Sequence, residues 1–160
     1  DVGRRNIDRF LLKLPLFGVL TIKASVARVT RTLATLLMSG VAILESMLIV
    51  AKVAGNKIVE DALMVARSRI SEGRTMAEPL EQAGIFPPMV VQMVQVGEST
   101  GALDSMLNKI ADFYEEDVDN MVSNLTAMME PMIMVFLGVI LGGLIIAMYL
   151  PIFKLGQAVG

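Results

Sequence analysis

Any chemistry in this chain has to come from hydroxyls and carboxylates, because the sequence contains no histidine and no cysteine. That removes the usual general base, the commonest metal ligand, thiolate nucleophiles and disulfide staples. Gly97, Glu98, Ser99, Thr100 and Gly101 spell G-x-S-x-G, the spacing of a serine-hydrolase nucleophile elbow. The elbow needs a strand before it and an imidazole to take the serine proton. With neither in view, the stretch reads as a helix-to-helix turn in which Ser99 or Thr100 caps. Asp112, Glu115, Glu116 and Asp119 fall at i, i+3, i+4 and i+7, which stacks four carboxylates on one helix face. A solvated face or a partner surface ranks ahead of a hard-cation site there, since calcium usually draws its oxygen ligands from a shaped loop. Asp117 sits at the edge of an apolar stripe near Phe113 and Met121. A half-buried carboxylate requires a counter-charge, and Arg28 or Arg31 is the expected partner. Asn124-Leu125-Thr126 has the form of a glycosylation sequon, but it lies inside a helical pattern and reads as chance. No cofactor, metal or catalytic set is expected.

The elements that must position these residues are all helical. Ile22, Val26, Val29, Leu33, Leu36 and Leu37 step by three and four, with Arg28 and Arg31 on the other side, and Gly40 ends that helix. Val41 to Ala54 is an apolar helix closed by Gly55. Asn56 caps the next helix, which carries Glu60 and Asp61 near its positive end and Arg67 and Arg69 near its negative end, and Gly73 stops it. Thr75 to Glu78 has the form of a capping box for a short helix over Met76 to Ala83, closed by Gly84. Pro87 and Pro88 open a helix over Met89 to Val96. A final helix carries an unbroken stripe: Leu103, Leu107, Ile110, Tyr114, Val118, Met121, Leu125, Met128 and Met132. No stretch alternates with period two, so no strands are expected. The fold class is all-α, an antiparallel bundle of about six helices. The thirteen methionines read mostly as core filling.

Pro131 to Phe153 is uncharged and rich in Ile, Leu, Met and Val. About 20 such residues at ~1.5 Å each cross the ~30 Å hydrocarbon core of a bilayer. Tyr149, Phe153 and Lys154 dress one end and Glu130 the other. Every acidic residue, and every basic one except Lys154, precedes the stretch. The expected division is therefore residues 1–18 as a basic amphipathic lead-in, 19–130 as a helical bundle, 131–153 as a transmembrane helix and 154–160 as a short tail. In the lead-in, Arg4, Arg5, Arg9 and Lys13 alternate with Ile7, Phe10, Leu11 and Leu14, which suits either an anionic membrane surface or a plain solvated helix. A net charge of −2 with scattered cations offers no basic face for nucleic acid. The chain opens at Asp1 with no apolar leader and reads as the end of a longer protein. Gly138 and Gly142 form G-x-x-x-G within the span, a pattern that lets helices approach closely in lipid. Pro131, after Glu130, deletes one backbone hydrogen bond where bundle and span join, and should act as a joint.

Taken in series, these residues resemble the F-domain family of polytopic inner-membrane platform proteins from type IV pilus and type II secretion machines. The resemblance rests on Arg4-Arg5 with a following LPLFG, ARVTRTLATLLMSGVAILES, Gly55-Asn56, Glu72-Gly73, Phe86 to Pro88, MVQVGESTGALDSML, ADFYEED, LTAMMEPMI and YLPIF. It implies the second of two six-helix cytoplasmic repeats plus the last membrane helix, with the GGLIIAMYLPIF tail closer to the pilus branch.

The resemblance also implies a non-enzymatic scaffold in a bacterial inner membrane. Its implied partners are a cytoplasmic hexameric ATPase, pilin or pseudopilin subunits, other inner-membrane assembly proteins, membrane lipid and further copies of itself. No G-x-x-x-x-G-K-[ST] phosphate loop occurs, so the energy would come from a partner. The basic opening puts the bundle in the cytoplasm and the C-terminus across the membrane. For the ATPase contact the expectation is Gly97, Glu98 and Gly101 together with Asp112, Glu115, Glu116 and Asp119; local capping and simple solvation compete with it. The alternatives are the secretion-system platform, a membrane-anchored enzyme, which would lack a catalytic set, or a transporter subunit, which would need ionisable groups in its span.

Overall fold

The computed structural model describes Gly3, Asn6 and residues 15–160. Among the described residues the chain forms six main helices and no strand: α1 Pro15–Met38, α2 Ile43–Val53, α3 Lys57–Ser71, α4 Ala77–Ala83, α5 Pro88–Thr100 and α6 Leu103–Val159. The basic lead-in through Leu14, with Arg4, Arg5, Arg9 and Lys13, lies outside the described residues. The chain divides into two compact units, the first ending at Asp119 and the second running Asn120–Gly160.

In the first unit the expected stripes become the core. Val26, Val29 and Leu33 of α1, Met47 and Val50 of α2, Val59 and Leu63 of α3, Leu80 of α4, Val90 and Val94 of α5, and Leu107, Ile110 and Tyr114 of α6 are buried in one cluster. α1 starts at Pro15, earlier than the apolar repeat suggests, because proline is pre-set for the first helical position and Gly18 and Ile22 continue the core-facing side. It ends as the glycine indicates. Gly40 takes φ +82°, its amide donates to Leu37 O, and the Val41 amide donates to Leu36 O, which closes the last turn. Asn56 caps α3 as expected, its Oδ1 accepting from the amides of Ile58 at 2.9 Å and Val59 at 3.2 Å. The residue is 3% exposed.

Two further boundaries differ from expectation. α5 runs on through Gly97 to Thr100, so the anticipated turn is the final turn of a helix and only Gly101 is left-handed, at φ +72°. Glycine, serine and threonine are poor helix formers, but packing of α5 overrides that local preference. At α4 no side chain from Thr75 caps the helix; its first amides are satisfied from α5, as described below. Residues 154–159 are helical as well, as the end of α6.

The second unit is the rest of α6. The best 18-residue window of that helix has a mean hydropathy of 2.6 and none of it is buried. Its large apolar side chains between Pro131 and Phe153 range from 43% exposed at Ile140 to 72% at Phe153. A core helix would be covered, so a helix this apolar and this bare is one suited to hydrocarbon. Among the described residues it is the one helix long and apolar enough to cross a membrane.

Losing the α3 cap should be measurable. Asn56→Ala leaves the amides of Ile58 and Val59 without their acceptor and is expected to destabilise the bundle by about 1 kcal/mol, read as a lower melting temperature by circular dichroism of the full chain in detergent.

Candidate functional site

Gly97 is buried because α5 and the start of α6 touch there: a Cβ built on it would lie 2.9 Å from the Leu103 Cα and 3.2 Å from Met106. One residue on, the Glu98 carboxylate turns inward and caps α4 from a distance, accepting from the Met76 amide at 2.5 Å and the Ala77 amide at 3.2 Å. This replaces the expected capping box. A carboxylate at a helix N-terminus also meets the positive end of the helix dipole. Ser99 and Thr100 both donate their hydroxyls to the Val96 carbonyl of their own helix, so neither hydroxyl is presented as a nucleophile. Beside Gly101 an open groove of about 400 Å³ has apolar walls from Ile43, Ile70, Met76 and Leu103 and carries the carboxylates of Glu98 and Asp104.

The acidic face of α6 is divided in the structure. Arg31 of α1 reaches across to Asp112, to both carboxylate oxygens of Glu115 at 3.0 Å, and to Asn108 Oδ1 at 2.8 Å. Those bonds, to Glu115 first and Asp112 second, raise the guanidinium pKa further above its ordinary value. Glu116 and Asp119 are exposed, and no ion pair reaches them among the described residues. Also among the described residues, no group of three or more potential ligands could hold a metal.

Asp117 does have a counter-charge, but it is neither Arg28 nor Arg31. Lys23 Nζ sits 2.5 Å from its Oδ2, with the two side chains 27% and 30% exposed. Arg31 is engaged lower on α6. Arg28 lies over Gly55, where an added Cβ would be 2.3 Å from its Nη1, and it donates weakly to the Val53 carbonyl at 3.5 Å, beside the C-terminal end of α2. The pairings Met38 with Asn108, Arg31 with Asp112 and Glu115, and Lys23 with Asp117 show that α1 and α6 run antiparallel in this unit. Lys23 and Arg31 are eight residues apart, about two turns, and so share a face. That spacing is the signal that could have identified Lys23. Next to the pair, burial and then the Asp117 charge raise the Tyr114 phenol above its usual pKa of 10.0.

In the second unit, a Cβ added at Gly138 or Gly142 would meet nothing within 4 Å, so both glycines leave the helix surface open. Pro131 and Pro151 both lie inside α6, and Glu130 is exposed. Pro131, Met132, Val135, Phe136 and Val139 line an apolar depression along the helix. The sequon threonine, Thr126, donates to the Val122 carbonyl within the helix.

Residues 29–151 match the family described as type II secretion system (T2SS), protein F. The chain is 54% identical over 157 residues to the type IV pilus assembly protein PilC of Myxococcus xanthus, covering 98% of this chain and 38% of that protein. It is 51% identical over 154 residues to the protein of the same name from Thermus thermophilus, 96% and 38% of the two chains. Against the type II secretion system protein F of Pseudomonas aeruginosa it is 36% identical over 160 residues, 100% of this chain and 40% of the relative. The chain thus spans about two fifths of the length of the curated relatives it matches.

The geometry sets two expectations. Gly97→Ala forces a methyl against the backbone of Leu103 and should cost about 1 to 3 kcal/mol, read by chemical denaturation, whereas Gly138→Ala should leave the bundle unaffected. A double-mutant cycle on Arg31→Ala and Glu115→Ala should give a coupling of under ~1 kcal/mol that fades with added salt, since both side chains are more than a third exposed. Because the fold favours the protonated phenol of Tyr114, its contribution to stability is present below the unfolded pKa and is lost as pH climbs above 10.0.

Proposed function

The chain belongs to the type II secretion system protein F family, and on that premise we propose that it is part of a non-enzymatic inner-membrane platform that couples a cytoplasmic hexameric ATPase to the assembly and disassembly of a pilin fibre. The observation that carries the pilus reading is the gradient of similarity, 54% to a type IV pilus assembly protein against 36% to a secretion-system protein F. The second reading, the equivalent platform of a type II secretion system, is favoured by the family match itself.

The mechanical part rests on connectivity. α6 supplies Leu107, Ile110 and Tyr114 to the bundle core and continues as the apolar segment, so a displacement imposed on the bundle is passed on by one helix. Expected residues 19–130 serve as the cytoplasmic domain, 131–153 as the span and 154–160 as the periplasmic end. Glu130 and Pro131 are the joint, and Gly138 and Gly142 the contact with a neighbouring span or a second copy.

For the ATPase contact, Glu116 and Asp119 are the carboxylates of that face free to meet a basic partner, and the groove beside Gly101 is a separate apolar feature of the same unit. Asp112, Glu115 and Glu98 already serve internal bonds.

Two measurements test this reading. Capture of the cognate ATPase by the detergent-solubilised chain should drop severalfold for Glu116→Lys/Asp119→Lys, with circular dichroism unchanged, because exposed charges govern association more than stability; equal capture moves the contact elsewhere. A thiol at Ala158→Cys should react with an impermeant reagent in spheroplasts and one at Ser71→Cys should not, and the opposite pattern reverses the orientation.

A further inference from the structure

The core-facing side of α1 is set by Gly18, Ile22, Val26, Val29 and Leu33. At 100° per residue, Leu16, Phe17 and Leu20 fall on the opposite side. Farther along, that side carries Ala24, Arg28, Arg31 and Thr35, with Arg28 and Thr35 exposed and Arg31 bonded to α6. Over its first turns it is apolar instead. Leu16 is 50% exposed, Phe17 51% and the neighbouring Val19 47%. Among the described residues, no packing within this unit covers Leu16 and Phe17, while the opposite face of the helix is already committed to the core.

The sequence immediately before this patch carries Arg4, Arg5, Arg9 and Lys13 against Asp1 and Asp8. Aromatic and aliphatic side chains next to a surplus of Arg and Lys match the boundary of an anionic bilayer, where the rings and aliphatic chains enter the acyl border and the cations meet phosphate. Each contribution is weak alone, and the two together make a stable contact. We propose that the opening of α1, with Leu16 and Phe17 at its centre, docks on the surface of the anionic phospholipid bilayer into which α6 inserts. The inference rests on the reading that α6 crosses a membrane. It adds a second, peripheral lipid contact on the bundle side.

The test uses the full chain, which has no native cysteine, reconstituted in nanodiscs. Single thiols at Phe17→Cys, Ile140→Cys and Ser71→Cys carry the same fluorophore, and the quenchers are phospholipids with a nitroxide placed either near the headgroup or deep in the acyl chain. The expected result is shallow-nitroxide quenching at position 17 well above that at position 71, and at least about twofold stronger in bilayers containing phosphatidylglycerol than in phosphatidylcholine alone. Arg4→Gln/Arg5→Gln/Arg9→Gln/Lys13→Gln should abolish the difference between the two lipids. Deep quenching at 140 with no shallow quenching at 17 overturns the docking site and leaves the span intact. Loss of quenching at both positions overturns the span itself. A label at 17 that is immobilised and unquenched overturns the proposal in favour of a protein covering the patch, and quenching indifferent to lipid charge overturns the anionic assignment.

Discussion

Hydrocarbon admits a polypeptide only where its backbone amides and carbonyls are bonded within the segment and its side chains are apolar, and between Pro131 and Pro151 the helix of α6 is unbroken and carries no charged residue. The rest of the chain is arranged around the consequence. All acids and all bases but Lys154 precede the apolar segment, so one helix carries both the charged stretch that packs in the bundle and a bare stretch long and apolar enough to cross a membrane. Its core draws on every described helix, and Leu107, Ile110 and Tyr114 tie α6 into that core within a few turns of its start.

Burial alone would let α6 slide or turn against α1, because apolar contacts are non-directional. Direction comes from the polar edge of the same contact. Lys23 and Arg31, two turns apart, each meet a partner on α6, and Asn108 adds a third point toward Met38. Each partly exposed pair is weak by itself. Spaced along the two antiparallel helices they define one register, in the manner of charged positions that flank a coiled-coil seam.

Much of this was legible in the sequence, and the failures have a common cause. The stripe Ile22, Val26, Val29 and Leu33 marks the buried side of α1, Asn56 the start of α3, glycines the ends of α1 and α3, and the uncharged run after Glu130 the bare apolar stretch of α6; all are local signals with a fixed period or offset. What was misread depends on residues distant in the chain. The spacing of Lys23 and Arg31 puts both on one side of α1, but which of them meets Asp117 is set by the register between α1 and α6, which neither helix specifies alone. Thr75 to Glu78 fits the spacing of a capping box, yet the helix starts one residue later and its first amides, those of Met76 and Ala77, are taken by Glu98. The Gly97 to Thr100 stretch carries turn residues, but Gly97 is small for the sake of Leu103 and Met106, and the helix persists through it. Of the candidate surface, the carboxylate face was visible from spacing; its division between Arg31-bound and free members was not.

The capping of α4 by Glu98 has a temporal side. A seven-residue helix is too short to hold together in water by itself, and the acceptor for its first amides lies 21 and 22 positions farther along the chain. On the ribosome, residues 77–83 therefore emerge well before the group that completes them, and the segment has to wait as coil until α5 has been synthesised and folded back. Completion of α4 is therefore tied to α5, and any opening that withdraws α5 also strips α4 of the acceptor for its first amides.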